Sequence, residues 1–390
     1  MKVYIKTLGC DKNTCDSEFI KGGLLAVGNK VVEDPLKADV MIVNTCGFIK
    51  DAKVQSIEAI LDLGAIKTDS QKLIVTGCLS QRYAKELAKE MPEVDSFLGV
   101  NDYNKLLDVI KSDERFILNS KASKCYEEFG VRAKSNGEWV APLKISDGCK
   151  NVCSYCAIPY IRGGYRSRDS KLVIEEAKKL AAEGVKELLI VGQDVTAYED
   201  LPGLLRKLCK IDGIHWIRLM YCYENEITDD LIKVIKEEKK IVKYIDIPLQ
   251  HYSDKILKSM NRRSTSKSIT NTLAKLRKEI PDIKIRTTFI VGYPGEHKED
   301  FNMLYDFVRE TKFDRLGVFT YSKEEGTRAA KMPGQVKEDA KLRRQDKIME
   351  LQRSISLSHN QEFVGKTIEV LVEEMDEPGV YIGRTEYDAP

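Results

Sequence analysis

Short apolar runs alternate with segments of helical periodicity along almost the whole chain, and this alternation restricts the fold to the α/β class. In residues 1–118 the runs are too short for helices, so they indicate parallel strands joined by helical crossovers. The predicted strands are Val3–Leu8, Asp39–Asn44, Lys72–Thr76 and Phe97–Val100. The predicted helices are Asp16–Val27, with N-cap chemistry at Asp16-Ser17-Glu18, Asp51–Leu63, Gln81–Met91 and Asn104–Ile110. The pattern predicts a doubly wound, flavodoxin-like sheet covered on both faces.

The alternation resumes at a larger scale from Ala141, after a stretch at 119–140 that lacks periodicity and is interpreted as a linker. The six predicted strands are Leu143–Ser146, Glu187–Val191, Trp216–Tyr221, Val242–Ile247, Ile283–Val291 and Arg315–Thr320. Six strand–helix units are too few for a closed eight-stranded barrel, so residues 141–362 predict a partial, open barrel. Its last helix is expected at Lys337–Ser358, with Leu342, Ile348, Leu351 and Ile355 on one apolar side. Residues 363–390 alternate around a turn at Pro378-Gly379 and predict the start of a small β domain.

Composition narrows the function classes. The hydrophobic fraction of 42% excludes a disordered chain, and no apolar run approaches the length of a membrane helix. The N-terminus has no secretory segment, so we expect a cytoplasmic protein. Lys and Arg number 63 against 61 Asp and Glu, so no global positive field indicates nucleic-acid binding. Ten cysteines in a reducing compartment favour metal or redox chemistry over disulfides.

Three of these cysteines, Cys149, Cys153 and Cys156, fall within eight residues directly after the first strand of the predicted barrel. We call them the loop triad. Their C-x3-C-x2-C spacing lets one loop bind three corners of an iron–sulfur cubane and leaves the fourth iron without a protein ligand, unlike an electron carrier that closes all four positions. An open metal position is where a substrate or cofactor binds. Zinc is the alternative, and it would need a fourth ligand near the loop.

This spacing resembles the signature of the radical S-adenosylmethionine (radical SAM) superfamily, with Tyr155 at its aromatic position. The resemblance implies a TIM-like radical SAM barrel, a 4Fe-4S cluster on the loop triad, and S-adenosyl-L-methionine bound to the open iron. An electron from the cluster then gives a 5′-deoxyadenosyl radical, so the chemistry is carried by the clusters and no catalytic side chain is assigned. Gly292-Tyr-Pro-Gly-Glu296 resembles the strand-end motif along the cofactor. Tyr155, Gln193, Gly292 and Glu296 are the cofactor-binding residues that we predict.

A second group of cysteines follows the predicted strands of the N-terminal domain, each beside a glycine: Cys10, Cys46 and Cys78. We call them the strand-end triad. Carboxyl ends of neighbouring parallel strands face one crevice, so three thiols there can converge on a second cluster. The alternative is that they are buried thiols that act as small hydrophobes. Core or incidental positions are expected for Cys15, Cys125, Cys209 and Cys222, with Cys222 left open because it lies at a strand end.

Two other features lie near the predicted barrel mouth. The stretch from Arg162 to Arg168 places Arg166 and Arg168 where guanidinium groups could bind a substrate carboxylate, although a solvated charged face is an equal alternative. His251 follows a barrel strand, and a structural role is favoured over a catalytic one.

The whole pattern resembles the methylthiotransferase family, in which a sulfur carried on the second, auxiliary 4Fe-4S cluster is methylated and inserted into a C–H bond. Three stretches resemble its ribosomal-protein branch: Leu8-Gly-Cys-Asp-Lys-Asn13, Asn44-Thr-Cys-Gly-Phe-Ile49 and Pro248-Leu-Gln-His-Tyr-Ser253. That branch modifies the β-carbon of an aspartate in small-subunit ribosomal protein twelve, which would be the partner, with a flavodoxin or ferredoxin as electron donor and a TRAM-like module at the C-terminus.

Charge agrees with that branch. Residues 365–390 carry seven acidic and two basic residues, a net charge of −5 that suits a basic ribosomal protein better than RNA. Two alternatives stay open: a tRNA adenosine methylthiotransferase, and a non-catalytic iron–sulfur carrier.

Overall fold

The computed structural model describes residues 1–128, 130–134 and 139–388. The chain forms two compact units. The N-terminal unit contains Met1–Gly137, Ser146–Lys150 and Ala157–Arg168, and the C-terminal unit contains the rest of the chain, including two of the three cysteines of the loop triad. The segment that carries the loop triad therefore contributes residues to both units, which differs from the predicted division at 140/141.

The N-terminal unit contains a six-stranded parallel sheet in the order β2-β1-β3-β4-β5-β6. The strands are β1 (Lys2–Thr7), β2 (Lys30–Val31), β3 (Val40–Thr45), β4 (Lys72–Gly77), β5 (Ser96–Leu98) and β6 (Ile117–Leu118). The first five strands follow the flavodoxin-like order, which confirms the predicted topology. The chain direction across the sheet reverses between β1 and β3, and ligands bind outside such a switch point.

Helices cover both faces of this sheet. They are α1 (Asp11–Ala26), α2 (Lys50–Ile66), α3 (Cys78–Glu90) and α4 (Leu106–Lys111). Alternate residues of β3 belong to different apolar clusters: Ile42 packs with Leu24 of α1, whereas Val43 packs with Ile60 of α2. This two-sided burial explains why the strands are almost continuously apolar.

The start of α1 was predicted wrongly. The helix begins at Asp11, directly after Cys10, and not near Asp16. Asp16 and Glu18 do not cap it; they are buried inside it, and Glu18 accepts a hydrogen bond from Arg132 Nε at 2.6 Å. An arginine more than a hundred residues away thus determines the surroundings of Glu18, and local capping chemistry does not reveal it.

The described part of the predicted linker packs on α1. The backbone N–H of Ala133 donates to Glu18 O at 3.0 Å, and a Cβ atom added to Gly22 would lie 1.6 Å from Val131 O. Residues 130–134 therefore form a strap against the helix. Part of the linker prediction, residues 129 and 135–138, lies outside the described residues.

Two short strands of the N-terminal unit, β8 (Ser146–Asp147) and β9 (Arg166–Ser167), pair antiparallel, and helix α5 (Ile158–Ile161) lies between them in sequence.

In the C-terminal unit six parallel strands follow chain order. They are β7 (Val140–Lys144), β10 (Glu187–Val191), β11 (Trp216–Leu219), β12 (Ile241–Gln250), β13 (Lys284–Val291) and β14 (Arg315–Thr320). All six predicted strands are present.

One continuous apolar cluster joins this sheet to its helices. The helices are α6 (Ser170–Ala182), α7 (Leu201–Cys209), α8 (Asp229–Glu237), α9 (Asp254–Ser259), α10 (Ser266–Glu279), α11 (Lys298–Thr311) and α12 (Glu338–Gln361). Ile348 and Ile355 of α12 are buried as predicted, but Leu342 is 49% exposed. Lys341 takes the buried position instead and donates to Tyr321 O at 2.8 Å.

The C-terminal residues form an antiparallel hairpin of β15 (Leu371–Glu377) and β16 (Val380–Arg384) around the predicted turn. Buried Arg218 of β11 donates to Glu187 at 2.6 Å and to Glu386 O at 2.9 Å, so the segment after the hairpin is hydrogen-bonded to the parallel sheet. Within the described residues, none of the helices has the length and apolar character of a membrane span.

Candidate functional site

The strand-end triad lies at the carboxyl ends of three adjacent strands. Cys10 follows β1 as the N-cap of α1, Cys46 follows β3, and Cys78 follows β4 as the first residue of α3. Burial raises the pKa of the Cys78 thiol to about 11, and the charges of Cys10 and Cys46 act in the same direction. The pKa of Cys46 is raised by burial and by Cys10. The three thiols therefore lie within electrostatic reach of one another, at the switch point of the sheet.

Glycines make this approach possible. Gly77 has φ +97°, and a Cβ atom there would lie 2.4 Å from Thr45 O. At Gly47 a Cβ atom would lie 2.7 Å from the backbone of Leu79. A side chain at either position would push the end of β3 away from the start of α3.

Two asparagine amides fasten the same strand ends together. Asn13 Nδ2 donates to Leu8 O at 2.8 Å and to Thr45 O at 3.0 Å, and Asn44 Nδ2 donates to Asn13 O at 3.0 Å. The loop after β1 is thereby bonded to the end of β3. Asn13 and Asn44 stood in the quoted family motifs, but the residue pattern alone gave neither of them a role.

A buried arginine completes the polar surroundings of the strand-end triad. The Arg162 guanidinium lies 3.6 Å from Cys78 Sγ and donates to Asp16 at 2.9 Å and to Asp147 at 3.1 Å. Burial lowers the pKa of Arg162, but Asp147, Cys78 and Asp16 outweigh it and hold that pKa well above its usual value. The sequence marked Arg162 only as one of several arginines near the barrel mouth.

The residues of the loop triad belong to both units, so each part is described separately. In the N-terminal unit, Cys149 N donates to Gly163 O at 3.3 Å. In the C-terminal unit, Cys156 N donates to Cys153 O at 3.1 Å. Ser154, between these two cysteines, donates from its backbone to Met260 O at 2.9 Å, and its Oγ atom lies 2.7 Å from the Tyr293 hydroxyl. The short turn that carries Cys153 and Cys156 is therefore held at its centre.

Tyr155 lies beside these thiols. Burial raises its pKa well above the usual value, and the Cys153 charge acts in the same direction. Its ring packs against the cluster of Ile256, Met260, Tyr293, Tyr321 and Ala329. The prediction that Tyr155 shapes the cofactor site is compatible with this position.

The other predicted cofactor residues differ in how their polar atoms are used. Gln193 Oε1 is a buried acceptor that has no hydrogen-bond partner among the described residues. Glu296 is buried, and its carboxylate accepts from Gly292 N at 2.7 Å and from Arg344 at 2.8 Å. It therefore organises its own turn, and a direct contact between Glu296 and a cofactor stays a prediction. Gly292 has φ +72° and directs its N–H to that carboxylate.

The two predicted substrate-binding arginines lie in the N-terminal unit. Arg168 is buried and makes a two-pronged pair with Glu128 at 2.7 and 2.9 Å, so its guanidinium is already bound inside the unit. Arg166 lines a cavity of about 600 Å³ that also includes Lys121, Lys124 and Tyr160. A contact between either arginine and a substrate stays a prediction.

The remaining cysteines and His251 occupy varied positions. Cys15 and Cys222 are buried, Cys125 is exposed, and Cys209 is half-buried. Burial, followed by Asp246 and Asp194, raises the pKa of Cys222 well above its usual value, which favours the neutral thiol of a core residue. His251 is fully buried, with Nδ1 accepting from Ser253 N at 3.0 Å.

Among the described residues, no three His, Cys, Asp or Glu side chains are grouped closely enough to bind a single metal ion. A cubane differs from a single ion because each thiolate binds a different iron atom.

Comparison with known proteins identifies the family. The radical SAM superfamily matches residues 143–308, and the family described as uncharacterized protein family UPF0004 matches residues 2–99. The ribosomal protein uS12 methylthiotransferase RimO of Acetivibrio thermocellus is 49% identical over 408 residues, covering 100% of this chain and 90% of that protein. Its counterpart in a Thermoanaerobacter species is 47% identical over 399 residues, covering 100% and 91%. The chain belongs to the uS12 methylthiotransferase family of radical SAM enzymes.

Solved structures agree with this assignment at the level of fold. A radical SAM methyltransferase, TsrM from Kitasatospora setae, superposes with a TM-score of 0.63 at 13% identity, covering 81% of this chain and 72% of that chain. A cobalamin-dependent radical SAM enzyme, OxsB, gives 0.61 at 12% identity, covering 95% and 62%. As a radical SAM methylthiotransferase, the chain uses a 4Fe-4S cluster and S-adenosyl-L-methionine.

Proposed function

We propose that this chain inserts a methylthio group at the β-carbon of an aspartate of ribosomal protein uS12, in the cytoplasm. The observation that carries the proposal is full-length identity close to one half with uS12 methylthiotransferases, in a chain that has thiols at two separate triads. In this assignment residues 1–118 carry the auxiliary cluster, 119–140 connect, 141–362 form an open six-unit radical SAM barrel, and 363–390 begin a TRAM-like module.

Six thiolates would hold two 4Fe-4S clusters. The loop triad, Cys149, Cys153 and Cys156, would bind the first, and the strand-end triad, Cys10, Cys46 and Cys78, the second. When bound, such clusters supply an electron for cleavage of S-adenosyl-L-methionine and a site for the sulfur that is transferred. The fit of the strand-end triad rests on the close backbone approach at Gly47 and Gly77, which brings the strand ends that carry Cys46 and Cys78 together.

The chain's own residues bind and orient the cofactor in this proposal. The unsatisfied Oε1 atom of Gln193 offers an acceptor to the amino or hydroxyl groups of S-adenosyl-L-methionine. Tyr155 presents a ring beside the two cysteines of the turn. Gly292, directly after β13, would contact the cofactor through its backbone, because Lys341 fills the space that a side chain there would take. Glu296 holds this turn through its bond to the Gly292 N–H.

The substrate is assigned by charge. The acidic segment 365–390 suits basic uS12, and Arg166, in a cavity with Lys121 and Lys124, offers positive charge to the aspartate carboxylate. Arg168 is the second arginine proposed to bind the substrate, and its guanidinium pairs with Glu128 in the free protein. A low-potential flavodoxin or ferredoxin is the proposed electron donor.

The test is mass spectrometry of purified uS12 after anaerobic incubation with the reconstituted enzyme, S-adenosyl-L-methionine and dithionite. We expect one methylthio group on one aspartate, and loss of this product in Cys153→Ala and in Cys46→Ala. Cys125→Ala, at an exposed thiol outside both triads, is the matched control and should retain it. Methylthio-modified nucleosides after incubation with tRNA, together with uS12 that stays unmodified, would contradict the proposal. So would the absence of 5′-deoxyadenosine, which a non-catalytic carrier predicts.

A further inference from the structure

One guanidinium of the N-terminal unit is buried against the strand-end triad. The side chain of Arg162 is 2% exposed, and its Nη2 atom lies 3.6 Å from Cys78 Sγ. The same nitrogen donates to Asn13 Oδ1 at 2.8 Å and to Asp16 at 2.9 Å. Arg162 therefore contacts a thiol, a carboxylate and the asparagine that fastens the strand ends together.

The fold fixes the position of this cation. The backbone N–H of Arg162 donates to Ile158 O at 2.8 Å, and the preceding Ile161 packs into the apolar cluster on one face of the sheet. Asp147, the second carboxylate partner, is held in β8, where its Oδ1 accepts from Gly148 N at 2.8 Å. A donor held by such contacts keeps its direction without reorganisation when the charge beside it changes.

The guanidinium places a permanent charge at this point, because arginine is not deprotonated in proteins. Reduction potentials of iron–sulfur clusters depend on net charge, on hydrogen bonds to sulfur and on solvent exposure. A fixed positive charge and an N–H···S hydrogen bond both favour the electron-rich, reduced form. Without Arg162, Asp16 and Asp147 would lose the cation that both of them contact beside Cys78.

We propose that Arg162 is a positioning residue for the auxiliary cluster, where it holds the Cys78 sulfur by a hydrogen bond and raises the reduction potential of the cluster. The inference rests on the proposed function, which assigns that cluster to Cys10, Cys46 and Cys78.

The same unit contains a matched control. Arg132 is also buried, and it pairs with buried Glu18 through a hydrogen bond of 2.6 Å. Its partner in that bond is a carboxylate, whereas Arg162 also reaches a thiol. Replacing either arginine disturbs a buried ion pair, so a difference between the two variants reports the contact with Cys78.

The experiment uses the full chain with Cys149, Cys153 and Cys156 all changed to alanine, so that only the auxiliary cluster forms. After anaerobic reconstitution with iron and sulfide, the midpoint potential is measured by a redox titration followed by electron paramagnetic resonance. We expect a more negative midpoint in Arg162→Gln and an unchanged midpoint in Arg132→Gln. Arg162→Lys, which keeps the charge but loses the planar fork, should fall between the parent and Arg162→Gln.

An Arg162→Gln midpoint equal to that of the parent, at equal iron content, would overturn the inference. Loss of iron from a folded Arg162→Gln protein, with iron retained in Arg132→Gln, would support the positioning role. Should Arg162→Gln fail to fold, the double variant with Asp16→Asn removes one carboxylate left without its arginine. A smaller negative shift is then expected, because the loss of one negative charge offsets part of the lost positive charge while the N–H···S hydrogen bond is still missing. A parent triple variant that folds but binds no iron contradicts the proposed function, so the two failures are distinguishable.

Discussion

Replacing Gly77 with alanine tests the packing that brings the strand-end triad together. Gly77 has φ 97° and ψ −161°, a region that is essentially restricted to glycine and costs another residue about 1–3 kcal/mol. The added Cβ atom would also lie 2.4 Å from Thr45 O and 2.6 Å from Thr45 N. Overlap with fixed backbone adds about 1–3 kcal/mol. We therefore expect Gly77→Ala to lower the free energy of unfolding by about 4 kcal/mol, a large part of the ~5–15 kcal/mol that a domain has.

Gly28→Ala separates conformational strain from overlap. Gly28 has φ +81°, but a Cβ atom there would meet nothing within 4 Å, so the expected loss is about 1 kcal/mol. Urea unfolding of the metal-free protein is followed by far-UV circular dichroism and by tryptophan fluorescence. Both tryptophans, Trp139 and Trp216, lie in the C-terminal unit, so a transition seen by dichroism alone reports the N-terminal unit. A Gly77→Ala loss no larger than that of Gly28→Ala would refute the reasoning.

Three further predictions concern residues outside the two triads. Cys222→Ala should retain all iron and lose about 1 kcal/mol of stability, because it removes only a buried sulfur; loss of iron, measured by metal analysis, would contradict this. In the metal-free protein, the protonated Cys222 thiol should contribute its full stability below pH 9.0 and less as the pH rises further, because this thiol ionises first in the unfolded chain. Urea midpoints at each pH, compared with those of Cys222→Ala, check this expectation. Arg132→Gln should cost about 3–5 kcal/mol, since it leaves the Glu18 carboxylate buried without its arginine, and an unchanged urea midpoint would argue against that pair.

The sequence predicted the sheet and the places of the cysteines because both depend on local signals. Apolar runs reveal β1, β3 and β4, and a cysteine within three residues of the end of each strand must lie near the carboxyl edge of the sheet. The six strands of the C-terminal unit were recognised for the same reason. The edge strands β2 and β6 were missed, because a strand of two residues carries no periodicity.

The polar partners of the site could not be predicted from local sequence patterns. Arg162 meets Asp16 across a sequence separation of 146 residues, and nothing near Asp16 indicates that it is buried. Its acidic side chain instead suggested a helix N-cap, and so the start of α1 was placed too late. The prediction that Leu342 is buried was wrong for a related reason. Lys341 occupies the buried position and donates a hydrogen bond to Tyr321 O, which hydrophobic periodicity does not reveal.

We propose that two separate triads of thiols hold two iron–sulfur clusters, one on each triad. Iron and labile sulfide are counted per chain, after anaerobic reconstitution, in the wild-type protein and in two variants that replace one triad each with alanine. We expect about eight irons per chain in the wild type and about four in each variant. About four irons in the wild type, with none left once the loop triad is removed, would contradict it.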